Sequence, residues 1–247
     1  TVAGVNTKPG IVGATDLSFS YNNDDARIGK TDGTYMFAAT LNNIGNKVSY
    51  SELSAQDFIP MNLKIGNSFK ADFDKFNSVT FSLDIQRLLV PTPASYDLID
   101  GEYVMLSGMS NDVGVISGMV QSFYDAPGVV ATDDNGDYIQ NSDGSYEVVS
   151  GTRLKEELSE INFALGVEWW YNQILALRTG VFYENKNKGN RQYLNLGASL
   201  KYNMFGIDIS YLASLNGRQS PLANTLRFTI RLDLDQNSNE GGSNKPE

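Results

Sequence analysis

From Asn224 to Leu234 the chain alternates without a break: Leu226, Phe228, Ile230, Leu232 and Leu234 fall on one face, Arg227, Thr229, Arg231 and Asp233 on the other. A repeat of two is the period of a β-strand, whose successive side chains point to opposite faces. The same pattern sets Ile161, Phe163, Leu165, Val167, Trp169 and Tyr171 against Asn162, Ala164, Gly166, Glu168 and Trp170. It recurs from Tyr193 to Asn203, from Met61 to Phe73 and from Val79 to Gln86. The alternation predicts about nine strands, near 16–22, 33–45, 60–74, 78–90, 160–172, 174–185, 192–203, 205–213 and 224–234.

The connections alternate in length as well. Tight turns are expected at Asp74–Asn77, Asn172–Gln173 and Asn203–Met204, and longer polar loops at Asn46–Phe58, Glu184–Gln192 and Ala213–Ala223. Short turns on one rim and long loops on the other are the habit of antiparallel outer-membrane barrels, with the long loops at the cell surface. A soluble β-sandwich also alternates, but its long strands seldom follow one another in plain up-and-down order. Aromatics favour the membrane reading. Trp169, Tyr171, Tyr202 and Phe205 gather beside the tight turns, Tyr183, Tyr193 and Tyr211 toward the loops, as two interfacial girdles would.

Two segments break the pattern. The insertion 91–159 is far too long for a plain hairpin loop, and connections of that length usually carry function. Within it, Asn111–Tyr124 reads as a short helix capped by Asn111, although Gly114 and Gly118 are poor helix formers. Asp133–Val149 reads as a hairpin with turn signals at Asn135-Gly136 and Asp143-Gly144. The segment 235–247 is polar and rich in Gly, Ser and Asn, the composition of a disordered tail. The organisation expected is therefore an all-β barrel portion over 1–234, carrying the insertion 91–159, followed by the tail 235–247.

Composition removes more chemistry than it adds. The 247 residues contain no Cys and no His, which excludes a thiolate nucleophile, a Cys/His zinc site and a Ser-His relay. With 19 basic against 29 acidic residues there is no basic stripe for nucleic acid. No run approaches the roughly 20 apolar residues of a membrane-spanning helix. The chain begins at Thr1 without Met or an apolar leader, and Thr1 is read as an internal position.

Candidate sites are few. Asp133, Asn135 and Asp137 have the spacing of the first calcium-loop ligands, but the twelfth position is Gly144 rather than Glu, so a turn is expected and no metal or cofactor. The inward charges Lys64, Lys70, Asp72, Asp84, Glu168, Arg178, Lys201, Asp208, Arg227, Arg231 and Asp233 have mixed sign, which favours internal salt bridges over a selective pore. No G-x-S-x-G elbow occurs and the carboxylates are scattered, so no catalytic residue is assigned. Lys186, Lys188 and Arg191 form a basic loop tip that could meet lipopolysaccharide or a partner protein.

The run Glu156–Asn172, then Ala176-Leu177-Arg178, Phe182–Arg191, Lys201-Tyr202-Asn203, Phe205–Asp208 and Pro221–Phe228 resembles the end of the PorV family of type IX secretion proteins. Asn6–Gly10, Asn43–Lys47, Asp57–Pro60, Leu88–Pro93 and Asp125–Gly128 fit the same family in order. The stretch Val129–Gly151 and the tail depart from it. The resemblance implies a fourteen-stranded outer-membrane barrel related in fold to the fatty-acid transporter FadL, of which these would be the later strands. It implies a non-enzymatic shuttle that takes cargo from the SprA/Sov translocon by its C-terminal signal domain and delivers it to PorU, PorQ and PorZ. Val115, Ile116, Met119, Val120 and Phe123, with Lys186, Lys188 and Arg191 at the edge, are the expected contact surface for cargo or partner. A FadL-like or porin-like solute channel and a lipid A deacylase are the alternatives; the absence of His counts against the second.

Overall fold

The computed structural model describes residues 9–50, 56–217 and 224–233; the tail 235–247 lies outside them. Nine strands form one sheet: β1 Ala14–Ile28, β2 Thr31–Gly45, β3 Asn62–Asp72, β4 Asn77–Leu88, β7 Ile161–Tyr171, β8 Leu175–Tyr183, β9 Gln192–Tyr202, β10 Phe205–Ser214 and β11 Thr225–Leu232. Each pairs antiparallel with its neighbour in the order β1-β2-β3-β4-β7-β8-β9-β10-β11. All nine expected strands are present. Only β1 runs well past its expected end, because Asn23–Arg27 lacks the apolar alternation yet stays paired to β2 through a register shift between Asn23 and Ala26.

The turns explain the register. Tyr171–Ile174 is closed by a 3.0 Å bond from the Ile174 N–H to the Tyr171 carbonyl, with Asn172 and Gln173 both at positive φ, the hairpin turn whose twist matches the strands. At Asp74 the carboxylate accepts the N–H groups of Phe76 at 2.7 Å and Asn77 at 2.8 Å. All tight turns fall on one rim and all long connections on the other. Since nine strands alternate in direction, the two edges β1 and β11 run the same way.

The faces separate by chemistry. On the apolar face Leu165 is 54% exposed, Phe228 67% and Ile230 74%, with no second layer of described residues over them. On the opposite face every one of the expected charges except Arg227 is ion-paired among the described residues: Lys64–Asp84 at 3.1 Å, Lys70–Asp72 at 3.0 Å, Arg178 with Glu168 and, at 3.3 Å, Asp208, Arg231–Asp208 at 3.0 Å and Lys201–Asp233 at 2.9 Å. The mixed-sign reading of this face is therefore borne out as ion pairing. No helix among the described residues is long and apolar enough to cross a membrane.

The insertion is more ordered than its sequence suggests. It contains the hairpin β5 Ser95–Ile99 and β6 Glu102–Ser107, then α1 Val115–Gln121 and α2 Thr152–Ser159. Helix α1 is shorter than expected and its cap is Gly114, with no side-chain cap bond, rather than Asn111. The expected single hairpin over Asp133–Val149 is instead three short segments, each bridged to the other two: Val130 to Val148, Thr132 to Tyr138 and Gln140 to Tyr146. The Asp133 carboxylate accepts the N–H groups of Asn135 at 2.8 Å and Asp137 at 3.0 Å, so this trio builds a turn.

Close strand approach is testable at Gly33. A Cβ there would sit 2.0 Å from the Lys70 carbonyl oxygen and 2.9 Å from the Phe69 ring. Gly33→Ala is expected to cost about 1–3 kcal/mol, as forced overpacking does, read as a lowered thermal transition; an unchanged transition would contradict this packing.

Candidate functional site at the rim of long connections

The buried core is small and lies at one rim rather than behind the sheet. Val48, Ile59, Met61 and Leu89 form it, and Leu41, Phe58, Leu63, Val90, Val115 and Met119 pack against it. Helix α1 is pressed down on this cluster. A Cβ at Gly118 would meet the Phe58 ring at 2.7 Å and Pro91 at 3.1 Å, so the residue that weakens the helix is the one that lets it dock. Val115 and Met119 thus face the core, while Ile116, Val120 and Phe123 remain exposed at 66%, 57% and 48%. The five apolar positions expected to form one contact surface are divided between two jobs.

An ionic node ties the insertion to the sheet. Arg87, at the end of β4, is 8% exposed and pairs with Glu157 of α2 and, at 2.9 Å, with Glu160 just past it. Its guanidinium also donates to the Ser122 carbonyl and lies 5.0 Å from the Phe123 ring. Lys188, from the β8–β9 loop, reaches Glu156 and Glu160, each at 2.9 Å. The remaining carboxylate lone pairs are used too: Glu157 accepts the Ala126 N–H at 2.8 Å, Glu156 the Gly128 N–H at 3.0 Å and Glu160 the Thr92 hydroxyl at 2.7 Å. Three carboxylates near a helix C-terminus oppose the helix dipole. The two cations brought from β4 and the loop offset that.

This pairing changes the reading of the basic tip. Lys188 points inward to the node, and Arg191 is held in a two-pronged bond to the buried Glu184 at 2.6 and 2.8 Å. Arg191 is nonetheless exposed; Lys186, also exposed, is the one of the three outside these pairs. Burial alone would lower the Lys188 pKa, but its bonds to Glu156 and Glu160 and their charges outweigh this and raise it. Asp125, 1% exposed, moves up because burial disfavours its charge; bonds from Gln121 and the Thr92 N–H oppose the shift, and the charges of Glu157 and Glu160 add to it.

The aromatic positions are placed as two bands with one exception. Trp169, Tyr171, Tyr202 and Phe205 share the apolar face beside the tight turns, Trp169 lying 6.1 Å from Tyr171 and bonded to Asn77 at 3.1 Å. Tyr183 and Tyr211 share that face near the other rim. Tyr193 does not: it stands on the ionic face, stacked on Phe182 at 6.3 Å. Sequence reading also missed α2 and the hairpin β5–β6. The run Arg153–Leu158 of strong helix formers, and Asp100-Gly101 between two apolar runs, are the signals that mark them.

Residues 2–95 match the family model of the type IX secretion system protein PorV. The match covers the strands from β1 to β4 and the segments Asn43–Lys47, Asp57–Pro60 and Leu88–Pro93 that carry the rim core. The similarity read from the closing third lies outside it. No curated protein matches the chain.

Two outcomes test the node. Arg87→Met leaves Glu157 and Glu160 without their shared cation; breaking such a buried pair costs about 3–5 kcal/mol. Faster proteolysis within 91–159, with the sheet's circular dichroism retained, is expected, and wild-type cleavage rates would refute the tie. Asp125 has a raised folded pKa, so its favourable neutral form is present at low pH and its ionisation penalty enters as pH rises through that pKa. Asp125→Asn is expected to protect the insertion more than wild type at neutral pH in hydrogen exchange, with the difference shrinking as pH falls through the raised value and vanishing below the ordinary carboxylate range. A gap independent of pH would rule out this origin.

Proposed function

We propose that this chain is a PorV-like type IX secretion component, the family whose model matches residues 2–95, and that it is a non-enzymatic cargo shuttle built on an outer-membrane barrel. The observation that carries the reading is the uncovered apolar face of a nine-stranded antiparallel sheet whose other face is ionically paired. An exposed apolar area of this extent needs a non-aqueous neighbour, and lipid is the one that a β-wall meets without leaving backbone groups unpaired. In this reading the sheet is part of a FadL-like barrel wall with its long connections at the cell surface, where the outer membrane supplies lipid and lipopolysaccharide.

The insertion is the proposed working part. It is folded and fastened at the rim, yet it exposes Ile116 and Val120 of α1 and Phe123 just past its end. This surface would receive the C-terminal signal domain of cargo from the SprA/Sov translocon, with Lys186 at its edge, before transfer to the complex of PorU, PorQ and PorZ. Docking rather than chemistry is the mechanism: apolar contact supplies the affinity, and the ionic node around α2 holds the insertion in one orientation. Internal neutralisation of the ionic face supports this reading over a selective solute channel.

Deleting the helix would also remove the buried Gln121 and Ser122, so the sharper test is the triple substitution Ile116→Ser, Val120→Ser, Phe123→Ser. Cargo recovered with the protein is expected to fall at least tenfold while its amount in the outer membrane stays the same. Unchanged cargo recovery would refute the assignment of this face.

A further inference from the structure

The charge of the chain is unevenly placed. Residues 88–152 hold 10 of its 29 acidic residues and none of its 19 basic ones, so the formal excess of -10 resides in this stretch and the remainder balances. Asp125 is buried; the other nine acids are exposed, and none of them makes an ion pair among the described residues. The cations that flank the stretch are engaged elsewhere, Arg87 by Glu157 and Glu160 and Arg153 by the Ser107 hydroxyl at 3.1 Å.

Within this acidic stretch one sheet face is apolar. Pairing in the hairpin β5–β6 sets Tyr96 opposite Met105 and Leu98 opposite Tyr103, so these four side chains share a face. They are 55%, 46%, 56% and 82% exposed. Asp97 and Val104 belong to the other face, where Asp97 accepts a 2.6 Å bond from the Tyr138 hydroxyl. At the hairpin's root the Ser107 hydroxyl donates to the Pro127 carbonyl at 2.6 Å. The hairpin is thus held from behind and below with its apolar face in the open, and Asp100 and Glu102 stand exposed at its tip.

Charge decides what can cover this face. A phosphate-bearing partner, whether nucleic acid or a lipopolysaccharide surface, meets carboxylates with no cation among them and is repelled. The acids are spread rather than grouped: among the described residues no three of them could hold a metal ion. A small polyamine would answer the charge and leave the apolar face in water. A polypeptide presenting Arg or Lys beside apolar side chains answers both, and Arg can also stack on the tyrosine rings.

We propose that the open face of β5–β6 docks a basic protein segment, with Tyr96, Leu98, Tyr103 and Met105 receiving its apolar side chains and the acidic field around Asp100 and Glu102 receiving its Lys and Arg. This face lies on a different element from Ile116, Val120 and Phe123, and the inference does not rest on the shuttle reading. Capture of a basic peptide by the purified protein stands or falls without cargo or translocon.

The test pans the full chain in detergent micelles against a random dodecapeptide phage library and, in parallel, measures its binding to immobilised lipopolysaccharide. Enrichment of peptides with net positive charge and apolar or aromatic residues is expected. Synthetic copies are expected to bind Leu98→Ser, Tyr103→Ser at least tenfold more weakly, and Asp100→Asn, Glu102→Gln about threefold more weakly, the worth of exposed ion pairs. Their affinity for the unaltered chain falls as salt rises, because exposed charges are screened. It is unchanged by Ile116→Ser, Val120→Ser, Phe123→Ser, which separates this face from α1. The four hairpin positions are exposed and Asn tolerates the positive φ of Asp100, so circular dichroism is expected to stay that of the unaltered chain; the salt dependence needs no variant at all. Failure to enrich any peptide, enrichment of neutral or acidic ones, affinity indifferent to salt or to the hairpin substitutions, or lipopolysaccharide binding that the same substitutions abolish would each overturn the proposal.

Discussion

The pleat of a β-strand sends alternate side chains to opposite faces, and in this chain that rule is obeyed over nine neighbouring antiparallel strands with no second layer of described residues over the apolar side. A soluble sheet solves the same problem by packing its apolar face on a helix or another sheet. Here Leu165, Phe228 and Ile230 stay open, and Arg178, Asp208 and Arg231 neutralise one another on the other face. Between the edges β1 and β11 the strand ladders satisfy the backbone. What remains is a surface that needs an apolar medium on one side and tolerates a polar one on the other.

That arrangement moves the ordinary hydrophobic core to an unusual place. With the wall's apolar side chains facing outward, burial by protein is confined to the rim, where Val48, Ile59, Met61 and Leu89 lie under α1. Such a core is too small to hold a 69-residue insertion by area alone. Polar contacts therefore share the work. Arg87 from the wall, Lys188 from a neighbouring loop and three glutamates around the end of α2 close a node in which each carboxylate also accepts a bond from a backbone N–H or a hydroxyl. A buried pair gives less net stability than it costs to break, so the node serves better as a device that fixes one orientation of the insertion than as a reservoir of stability. That orientation decides which side of α1 faces outward.

The same packing leaves a cavity beneath the insertion. Helix α1 approaches as closely as Gly118 permits, but Asn111, Asn162 and the Pro91–Pro93 strip do not close the space between the rim and the insertion. The Oδ1 atoms of both asparagines are buried without a partner, closed off from that space. Elsewhere on the ionic face the named acids are bonded or paired, which is why these asparagines stand out.

Local alternation and turn chemistry specify the nine strands, the order of short and long connections, the two chemically distinct faces and most of the aromatic bands. Residues 2–95 also carried the family likeness. Where local preference was weak, sequence reading fell short: the second half of β1 is held by its partner strand rather than by apolar alternation, and α1 starts at a glycine because docking against Phe58 outweighs capping. Tertiary packing alone commits Lys188 to the half-buried Glu156 and Glu160 and Arg191 to the buried Glu184, places Val115 and Met119 in the core but not Ile116, Val120 and Phe123, and leaves the Asn162 Oδ1 without a partner. Arg191 meets Glu184 only seven residues away, but the node joins positions 28 to 73 apart in the chain, such as Lys188 with Glu160 and Arg87 with Glu160. Periodicity along the sequence registers neighbours two or four residues away, and pairing across a rim leaves no trace at that range.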